Sequence, residues 1–118
     1  MANEGLKRMQ ALGRLKKDEM NQTEKLWAED LDICKVDGTV IWWKWNCIKL
    51  KLADNTFYIP DFLVLQADGH LRVDEVKGFW MDDARVKIKV AASMYPFIFI
   101  GVSRKAKKDG GGWKIEEF

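Results

Sequence analysis

Hydrophobic residues recur with a helical period between residues 22 and 32. Trp27 and Leu31 fall on one face of a helix in this segment. Asn21 stands three positions before Glu24, which is the spacing of a helix-capping pair. The pattern therefore predicts a helix over residues 22–32.

The rest of the chain reads as short strands around a second helix. Runs rich in β-branched and aromatic residues are separated by turn dipeptides such as Asp68-Gly69. A helix is predicted over residues 84–94, ending before Pro96. The predicted strands cover residues 40–45, 48–52, 57–59, 61–65, 71–76, 97–102 and, as a short edge strand, 113–115. This order predicts an α/β fold with one mixed central sheet flanked by helices.

Three regions follow from these elements. Residues 1–20 form a basic N-terminal arm or short helix, and a frayed terminus that orders only on a partner fits the pattern equally well. Residues 21–103 form the core domain. Residues 104–118 form a basic C-terminal tail, in which Gly110-Gly111-Gly112 is a flexible tether.

Composition narrows the classes of function. A chain of 118 residues fits one domain, and its net charge of +2 means that an anionic partner must be met by a local patch. Two cysteines without CxxC spacing and a single histidine, His70, exclude a closed zinc site. No apolar run approaches the ~18 residues that span a bilayer, so no membrane partner is expected. We expect a reducing, cytoplasmic setting.

Three charged residues lie at the ends of two neighbouring predicted strands. Glu75 and Lys77 are two apart, so they project from one face, roughly 7 Å from each other. A two-residue loop in the preceding hairpin would pair Asp61 with Val76 and put Glu75 on the opposite face. A three-residue loop, with Gly69 left-handed as a bulge, brings Asp61 opposite Glu75 at about 5 Å between Cβ atoms.

The apolar pattern favours the bulged register. In that register one face is apolar along its length and charged only at one end. Its residues are Asp61, Leu63, Leu65, Leu71, Val73, Glu75 and Lys77. The other register would mix Arg72 and Asp74 with Leu63 and Leu65, which a covered sheet face should resist.

Paired carboxylates at this distance repel each other unless a cation lies between them, and their oxygens suit Mg²⁺. A water on such an ion can attack phosphorus, and Lys77 can orient it or stabilise the developing charge. Glu75 and Lys77 alone would read as a surface ion pair, but Asp61 at this spacing favours phosphodiester hydrolysis. Glu24 serves as a helix cap or, because it shares a face with Trp27, as a further carboxylate at the metal.

These residues resemble a known nuclease pattern. Pro60-Asp61 followed by Glu75-Val76-Lys77, with Glu24 on a preceding helix, resembles the PD-(D/E)xK nuclease superfamily, and most closely its small phage-encoded members of the Holliday-junction-resolvase type. The resemblance covers residues 21–102 and includes the continuation Lys77-Gly78-Phe79-Trp80 into a helix.

The resemblance implies a restriction-endonuclease-like core and a function in DNA recombination. Asp61, Glu75 and Glu24 would bind Mg²⁺, with Mn²⁺ as the alternative ion, and Lys77 would assist the nucleophile. The substrate would be branched or junction DNA, and a phage protein of this kind would act in the cytoplasm of the host cell. Two cuts on opposite arms of a junction require two sites, which a symmetric homodimer supplies.

Basic and aromatic residues are candidates for DNA contacts. Lys87 shares a helix stripe with Ile88 and is expected to be drawn toward the sheet, where it would hold a phosphate or simply be solvated. The other basic candidates, which would contact phosphates or serve solubility, are Arg85, Lys89, Arg104, Lys105, Lys107 and Lys108. Alternation puts Trp43 and Trp45 on one strand face and Trp42 on the other. For these three rings, packing in the core or against another subunit is favoured over stacking on unpaired bases.

Three functions share this pattern. The first is a structure-selective endonuclease on branched DNA. The second is a repair or DNA-degrading nuclease with the same site, and the third is a non-catalytic DNA-binding module. The presence of Asp61, Glu75 and Lys77 argues against a non-catalytic module.

Overall fold

A computed structural model of the chain describes residues 19–78 and 82–118. The predicted arm, apart from its last two residues, lies outside this range, as do Phe79 and Trp80 of the nuclease-like motif. The helices are α1 (Gln22–Asp37) and α2 (Asp82–Met94). The strands are β1 (Val40–Trp45), β2 (Leu50–Ala53), β3 (Thr56–Tyr58), β4 (Phe62–Gln66), β5 (Leu71–Lys77), β6 (Ile98–Arg104) and β7 (Trp113–Glu117).

Helix α1 begins where the sequence predicts and ends five residues later than predicted. Asn21 and Glu24 form the complete capping box, with each side chain bonding the other residue's backbone amide. The predicted end at residue 32 is wrong, because the exposed Ile33 and Val36 interrupt the apolar stripe without breaking the helix. The helix ends at Gly38, whose φ of 88° suits glycine. Among the described residues, no helix is long and apolar enough to cross a membrane.

The main sheet has five strands in the order β1-β4-β5-β6-β7. Strands β5 and β6 are parallel, and the other neighbouring pairs are antiparallel. Helix α2 makes the crossover between the two parallel strands, as parallel pairing requires. The predicted α/β fold with a mixed sheet and flanking helices is confirmed.

Strands β2 and β3 do not join this sheet. They pair with each other as a separate two-stranded sheet, so the prediction of a single sheet is wrong for this segment. The chain leaves β1 through Asn46, which has a positive φ of 56°. A turn there takes the next strands out of the plane of the main sheet.

Both faces of the main sheet are covered, and a separate hydrophobic core lies on each face. The α1 face buries one set of residues: Trp27, Ala28, Leu31, Val40, Phe62, Val64, Val76, Ile100 and Val102. The α2 face, which the small sheet helps to cover, buries the second set: Leu50, Tyr58, Val73, Ile88, Ala91 and Phe99. Successive residues of β4, β5 and β6 thus alternate between two cores, as strand geometry dictates.

The C-terminal residues are part of the sheet. The predicted edge strand is confirmed as β7, which pairs with β6, so the boundary of a tail at residue 104 is wrong. The triple glycine is not a tether but a closed turn, in which all three residues have positive φ. Its backbone is held by the Lys105 amide, which donates to Gly112 at 2.9 Å. The basic segment therefore lies in a turn between two paired strands.

Candidate functional site

The hairpin between β4 and β5 has the bulged register. The Gln66 amide donates to the His70 carbonyl at 2.9 Å, and Gly69 takes a left-handed φ of 88°. Phe62 pairs with Asp74, which brings the preceding Asp61 opposite Glu75. The predicted three-residue loop is confirmed.

The predicted register is correct, but the expectation that Arg72 and Asp74 avoid a covered sheet face is wrong. Both residues face the α1 core, where Asp74 has no exposed surface. Arg72 donates to the Asp74 carboxylate from Nε at 2.6 Å and from Nη2 at 2.8 Å, and Trp27 Nε1 donates to it at 2.9 Å. This matched ion pair is what allows the charges to be buried.

Asp61 and Glu75 are joined through the backbone at the end of the two strands. The Asp61 amide donates to Glu75 Oε1 at 3.3 Å, and the Val76 amide donates to Asp61 Oδ2 at 2.8 Å. The Asn46 amide donates to the Asp61 carbonyl at 2.8 Å. Pro60, which is fully buried, separates this point from β3. The strand end therefore fixes both carboxylates with main-chain donors.

Glu24 reaches the same place from the first turn of α1. Its side chain has no exposed surface, and Oε1 accepts from the Asn21 amide at 2.9 Å. Its carboxyl group also hydrogen-bonds the side chain of Asp61. The two interpretations of Glu24, as a helix cap and as a member of the acidic cluster, are thus geometrically compatible.

Lys77 supplies the positive charge of the cluster. Its Nζ lies 3.1 Å from Glu75 Oε2, and a third of its side chain is exposed. Burial lowers the pKa of the Lys77 ammonium, but the charges of Glu75 and Asp61 outweigh burial and raise the pKa overall. Lys77 is therefore a cation that the cluster holds charged and accessible from solvent.

Tyr58 is a site residue that the sequence analysis missed. Its hydroxyl donates to Glu75 Oε1 at 2.9 Å, and the residue is buried. Burial first, and then the Glu75 charge, raise the pKa of the phenol, so Tyr58 stays a donor. Its sequence signal is an aromatic residue at a strand end shortly before Pro60-Asp61. That signal does not identify Glu75 as the partner of Tyr58, because β3 and β5 belong to different sheets.

The cluster carries more negative charge than its single lysine neutralises. Burial, followed by the charge of Glu75, raises the pKa of Asp61 to about 8, against the lowering effect of the Val76 amide. The charge of Glu24 adds to the rise. Three carboxyl groups from α1, the start of β4 and β5 thus share one place that favours added positive charge.

These donors suit a hard divalent cation by their chemistry. Carboxylate oxygens are the ligands that Mg²⁺ prefers, and crowded carboxylates are relieved by a bound cation. Among the described residues, no three His, Cys, Asp or Glu side chains are arranged as a ready set of metal ligands. The oxygens of Glu75 instead accept from Tyr58 and pair with Lys77.

The basic candidates on α2 take different positions. Lys87 is exposed, so the expectation that the sheet covers it is wrong; its Nζ donates to the Phe57 carbonyl of the small sheet at 3.4 Å. Arg85 Nη1 donates to Glu116 Oε2 at 2.7 Å and so lies over β7. Lys89 is exposed. Their contacts with DNA stay predictions.

The basic segment at residues 104–108 lies at the same end of the sheet as the acidic cluster. It follows the C-terminal end of β6, which runs parallel to β5, and β5 ends at Lys77. The Arg104 guanidinium lies 5.1 Å from the Trp113 ring centroid, and the other three residues are exposed. Those residues are Lys105, Lys107 and Lys108. Topology thus places basic side chains near the carboxylates.

The tryptophans of β1 serve mainly as packing residues. Trp43 and Trp45 are partly buried against the α1 core, and Trp43 Nε1 donates to Asp32 at 2.8 Å. Trp42 lies on the opposite face with 40% of its surface exposed. The predicted alternation is confirmed, and packing accounts for two of the three rings.

Comparison of the chain with models of protein families, with curated proteins and with solved structures gives no match.

Proposed function

We propose that this protein is a divalent-metal-dependent endodeoxyribonuclease of the PD-(D/E)xK type. The observation that carries the proposal is the convergence of Glu24, Asp61, Glu75 and Lys77, from three separate elements, at one end of the sheet. Buried carboxylates without matching cations are costly to folding, so their assembly favours a functional role over a structural one.

The residues that would hold Mg²⁺ or Mn²⁺ are Asp61, Glu75 and Glu24. A bound divalent ion supplies Lewis-acid chemistry, lowering the pKa of water and offsetting charge on the phosphate oxygens. Hydrogen bonds keep two of the ligands in place, from the Val76 amide to Asp61 and from Tyr58 to Glu75. Such positioning removes much of the entropic cost of assembling a reactive site.

Lys77 is the residue that would act on the reacting groups. Its ammonium is held by Glu75 and partly exposed, so it can meet a phosphate arriving from solvent. There it orients the attacking water or stabilises negative charge that develops on the phosphoryl oxygens. Its raised pKa keeps it charged at neutral pH.

The proposed substrate is branched DNA, such as a Holliday junction. The basic turn after β6 contacts phosphates without reading sequence, which suits recognition by shape. A junction needs a cut on each of two strands, so the proposal includes a symmetric homodimer. Action on DNA inside a phage-infected host cell belongs to the same proposal.

The test is a substrate panel with matched variants. Purified protein is assayed with Mg²⁺, with Mn²⁺ and with a chelator on four-way junctions, plain duplex, single strands and an RNA duplex. Wild type is expected to cut junctions only with a divalent ion. Asp61→Asn is expected to bind but not cut, whereas the exposed control Asp54→Asn should cut normally.

Each other result points to a different function. Equal cutting of duplex and junction would favour a repair or DNA-degrading nuclease. Binding without cutting under either metal ion would leave a DNA-binding module and contradict the proposal. Cutting by Asp61→Asn at the wild-type rate would exclude the proposed site.

A further inference from the structure

A second polar site lies beside the carboxylate cluster, on the α2 face of the sheet. It is a small, open pocket between α2 and strands β6 and β7, with a cavity volume of about 20 Å³. Its lining residues are Arg85, Gly101, Ser103, Lys114 and Glu116. Four of these five carry polar or charged side chains, and three of them were not candidates in the sequence.

Strand register places this pocket next to the proposed active site. Glu75 pairs with Gly101, which pairs with Glu116. In the adjacent row, Lys77 pairs with Ser103, which in turn pairs with Lys114. Neighbouring strands are about 4.8 Å apart, so the pocket begins one strand from the carboxylate cluster.

The space at its centre has a simple origin. Gly101 has no side chain, and it lies between Glu75 and Glu116 in the first row. A larger residue there would project from the sheet toward α2. Gly101 thus contributes only backbone to the lining of the pocket, and charged side chains of β7 and α2 complete it.

Cations outnumber anions at this pocket. Arg85 Nη1 donates to Glu116 Oε2 at 2.7 Å, and both side chains are about one third exposed. That hydrogen bond holds the pKa of the Glu116 carboxyl below its usual range. The charges of Lys114 and Lys89 act on its pKa in the same direction. Among the described residues that line the pocket, two basic side chains thus accompany one carboxylate, and Lys89 adds its charge from nearby.

Ser103 adds a hydrogen-bonding group at the floor. The residue is buried, with 9% of its surface exposed, and it lines the pocket. Its side chain makes no hydrogen bond to any other residue within 19–78 or 82–118. A guanidinium and an ammonium around a hydroxyl form a set of donors that suits a tetrahedral oxyanion.

We infer that this pocket is a phosphate subsite, in which Glu116 occupies Arg85 until a phosphate group displaces it. The ligand is a phosphodiester of the nucleic-acid strand, one that neighbours the bond to be cut. This assignment to a flanking phosphate rests on the proposed function, since it needs the strand to cross the carboxylate cluster. Binding of phosphate itself does not depend on cleavage.

The first experiment measures inorganic phosphate binding without metal. Full-length protein is titrated at low ionic strength, and the amide signals of Ser103 and Lys114 are followed by NMR. Arg85→Gln is expected to weaken binding about 10-fold, since it removes a charge-assisted hydrogen bond. Glu116→Gln is expected to tighten binding about 3-fold, because it removes the competing carboxylate. Lys35→Gln, at the far end of α1, is the charge-matched control.

The opposite signs separate the subsite from a structural ion pair. If the Arg85–Glu116 pair is purely structural, both variants should lower stability. They should then not shift phosphate affinity in opposite directions. Circular dichroism and thermal unfolding verify that each variant is folded. Equal phosphate affinity for Arg85→Gln and Lys35→Gln, or no tightening in Glu116→Gln, would overturn the inference.

The second experiment places the phosphate on the substrate. Junction DNA carries a single neutral methylphosphonate at successive linkages around the cut. One flanking position is expected to slow wild-type cutting about 10-fold and to have little effect on Arg85→Gln, which has already lost that contact. If no position distinguishes the two proteins, the flanking assignment fails.

The two proposals fail in different ways. Phosphate binding with the expected signs, in a protein that never cuts DNA, would contradict the nuclease and leave the subsite. Metal-dependent cutting that is indifferent to Arg85→Gln and Glu116→Gln would contradict the subsite and leave the nuclease.

Discussion

Two consecutive residues of β5 carry buried carboxylates, and their surroundings differ. Asp74 faces the α1 core, where Arg72 and Trp27 satisfy its oxygens. Glu75 faces the other way, where its neighbours include Lys77 but also the carboxyl group of Asp61. One carboxylate is matched by a cation of its own, and the other belongs to a group with surplus negative charge.

Asp74 and Glu75 show how a compensated buried charge differs from one that favours a ligand. Buried ion pairs persist when each charge is compensated and hydrogen-bonded, and such a pair needs no ligand. A cluster that lacks compensation raises the pKa of one of its members, as burial and the Glu75 charge do for Asp61. Burial alone therefore does not mark a functional carboxylate; the balance of charge around it does.

Neutralising Glu75 is expected to have the largest effect on activity. Glu75→Gln is expected to lower the rate of DNA cutting by ~10³-fold or more, since a metal ligand supplies several kcal/mol of transition-state stabilisation. Folding should be retained, because glutamine still accepts from Tyr58. Cleavage kinetics and isothermal titration with Mg²⁺ measure both effects. Unchanged Mg²⁺ uptake in this variant would remove Glu75 from the metal site.

The counterpart is the adjacent residue, Asp74. Asp74→Asn is expected to lower the free energy of unfolding by about 3 kcal/mol, because the largely buried Arg72 loses its charged partner and keeps only Gln66. Urea unfolding followed by fluorescence measures the change. The remaining folded fraction should cut DNA at the normal rate. A stable variant that fails to cut would mean that the two carboxylates have been assigned the wrong way round.

The pH dependence of stability tests the surplus negative charge at Asp61. Its pKa is raised from 3.8 to about 8 in the folded protein, so folding favours the protonated form. Without divalent ions, this contribution is present below pH ~4 and is lost as the pH rises through ~8. Relative to Asp61→Asn, wild type is expected to lose about 1.4 kcal/mol of stability per pH unit between pH ~4 and pH ~8. The two proteins should be nearly equal near pH 4 and differ by ~5 kcal/mol at pH 9.

Thermal unfolding from pH 4 to pH 9 in a chelator measures this difference. Asp54→Asn, which is fully exposed, serves as the control and should follow wild type throughout. A constant difference between Asp61→Asn and wild type across the pH range would show that Asp61 does not titrate in this way.

The smallest expected effect concerns the indole that binds Asp74. Trp27→Phe removes the hydrogen bond from Nε1 and is expected to cost about 1 kcal/mol of stability. Cutting should be unaffected. Chemical denaturation quantifies the loss of stability. A fall in activity larger than the fall in folded protein would show that the hydrogen bond to Asp74 on the α1 face also affects the cluster around Glu75.

Local signals were enough for most elements of the fold. The capping pair Asn21 and Glu24 predicts the start of α1, and alternation predicts β4, β5 and the edge strand β7. The end of α1 was missed because exposed apolar residues do not break a helix; the break comes only at Gly38, which takes a left-handed conformation. The separation of β2 and β3 into their own sheet depends on contacts between distant segments, which periodicity does not contain.

The site shows the same division. Spacing within one hairpin is enough to bring Asp61 opposite Glu75, because strand pairing and a three-residue loop are local geometry. Tyr58 was missed because its contact with Glu75 joins two different sheets. The role of Arg72 and Asp74 was misjudged because only the packing of α1 shows that their face is covered.

Which residues can meet follows from local sequence alone: period-two strands and a bulged turn confine Asp61, Glu75 and Lys77 to one end of one hairpin. What surrounds these residues depends on tertiary packing. Burial and charge compensation arise from helices and strands far apart in the chain, so the surplus charge at Asp61 and the neighbouring pocket at Ser103 appear only when those segments pack together.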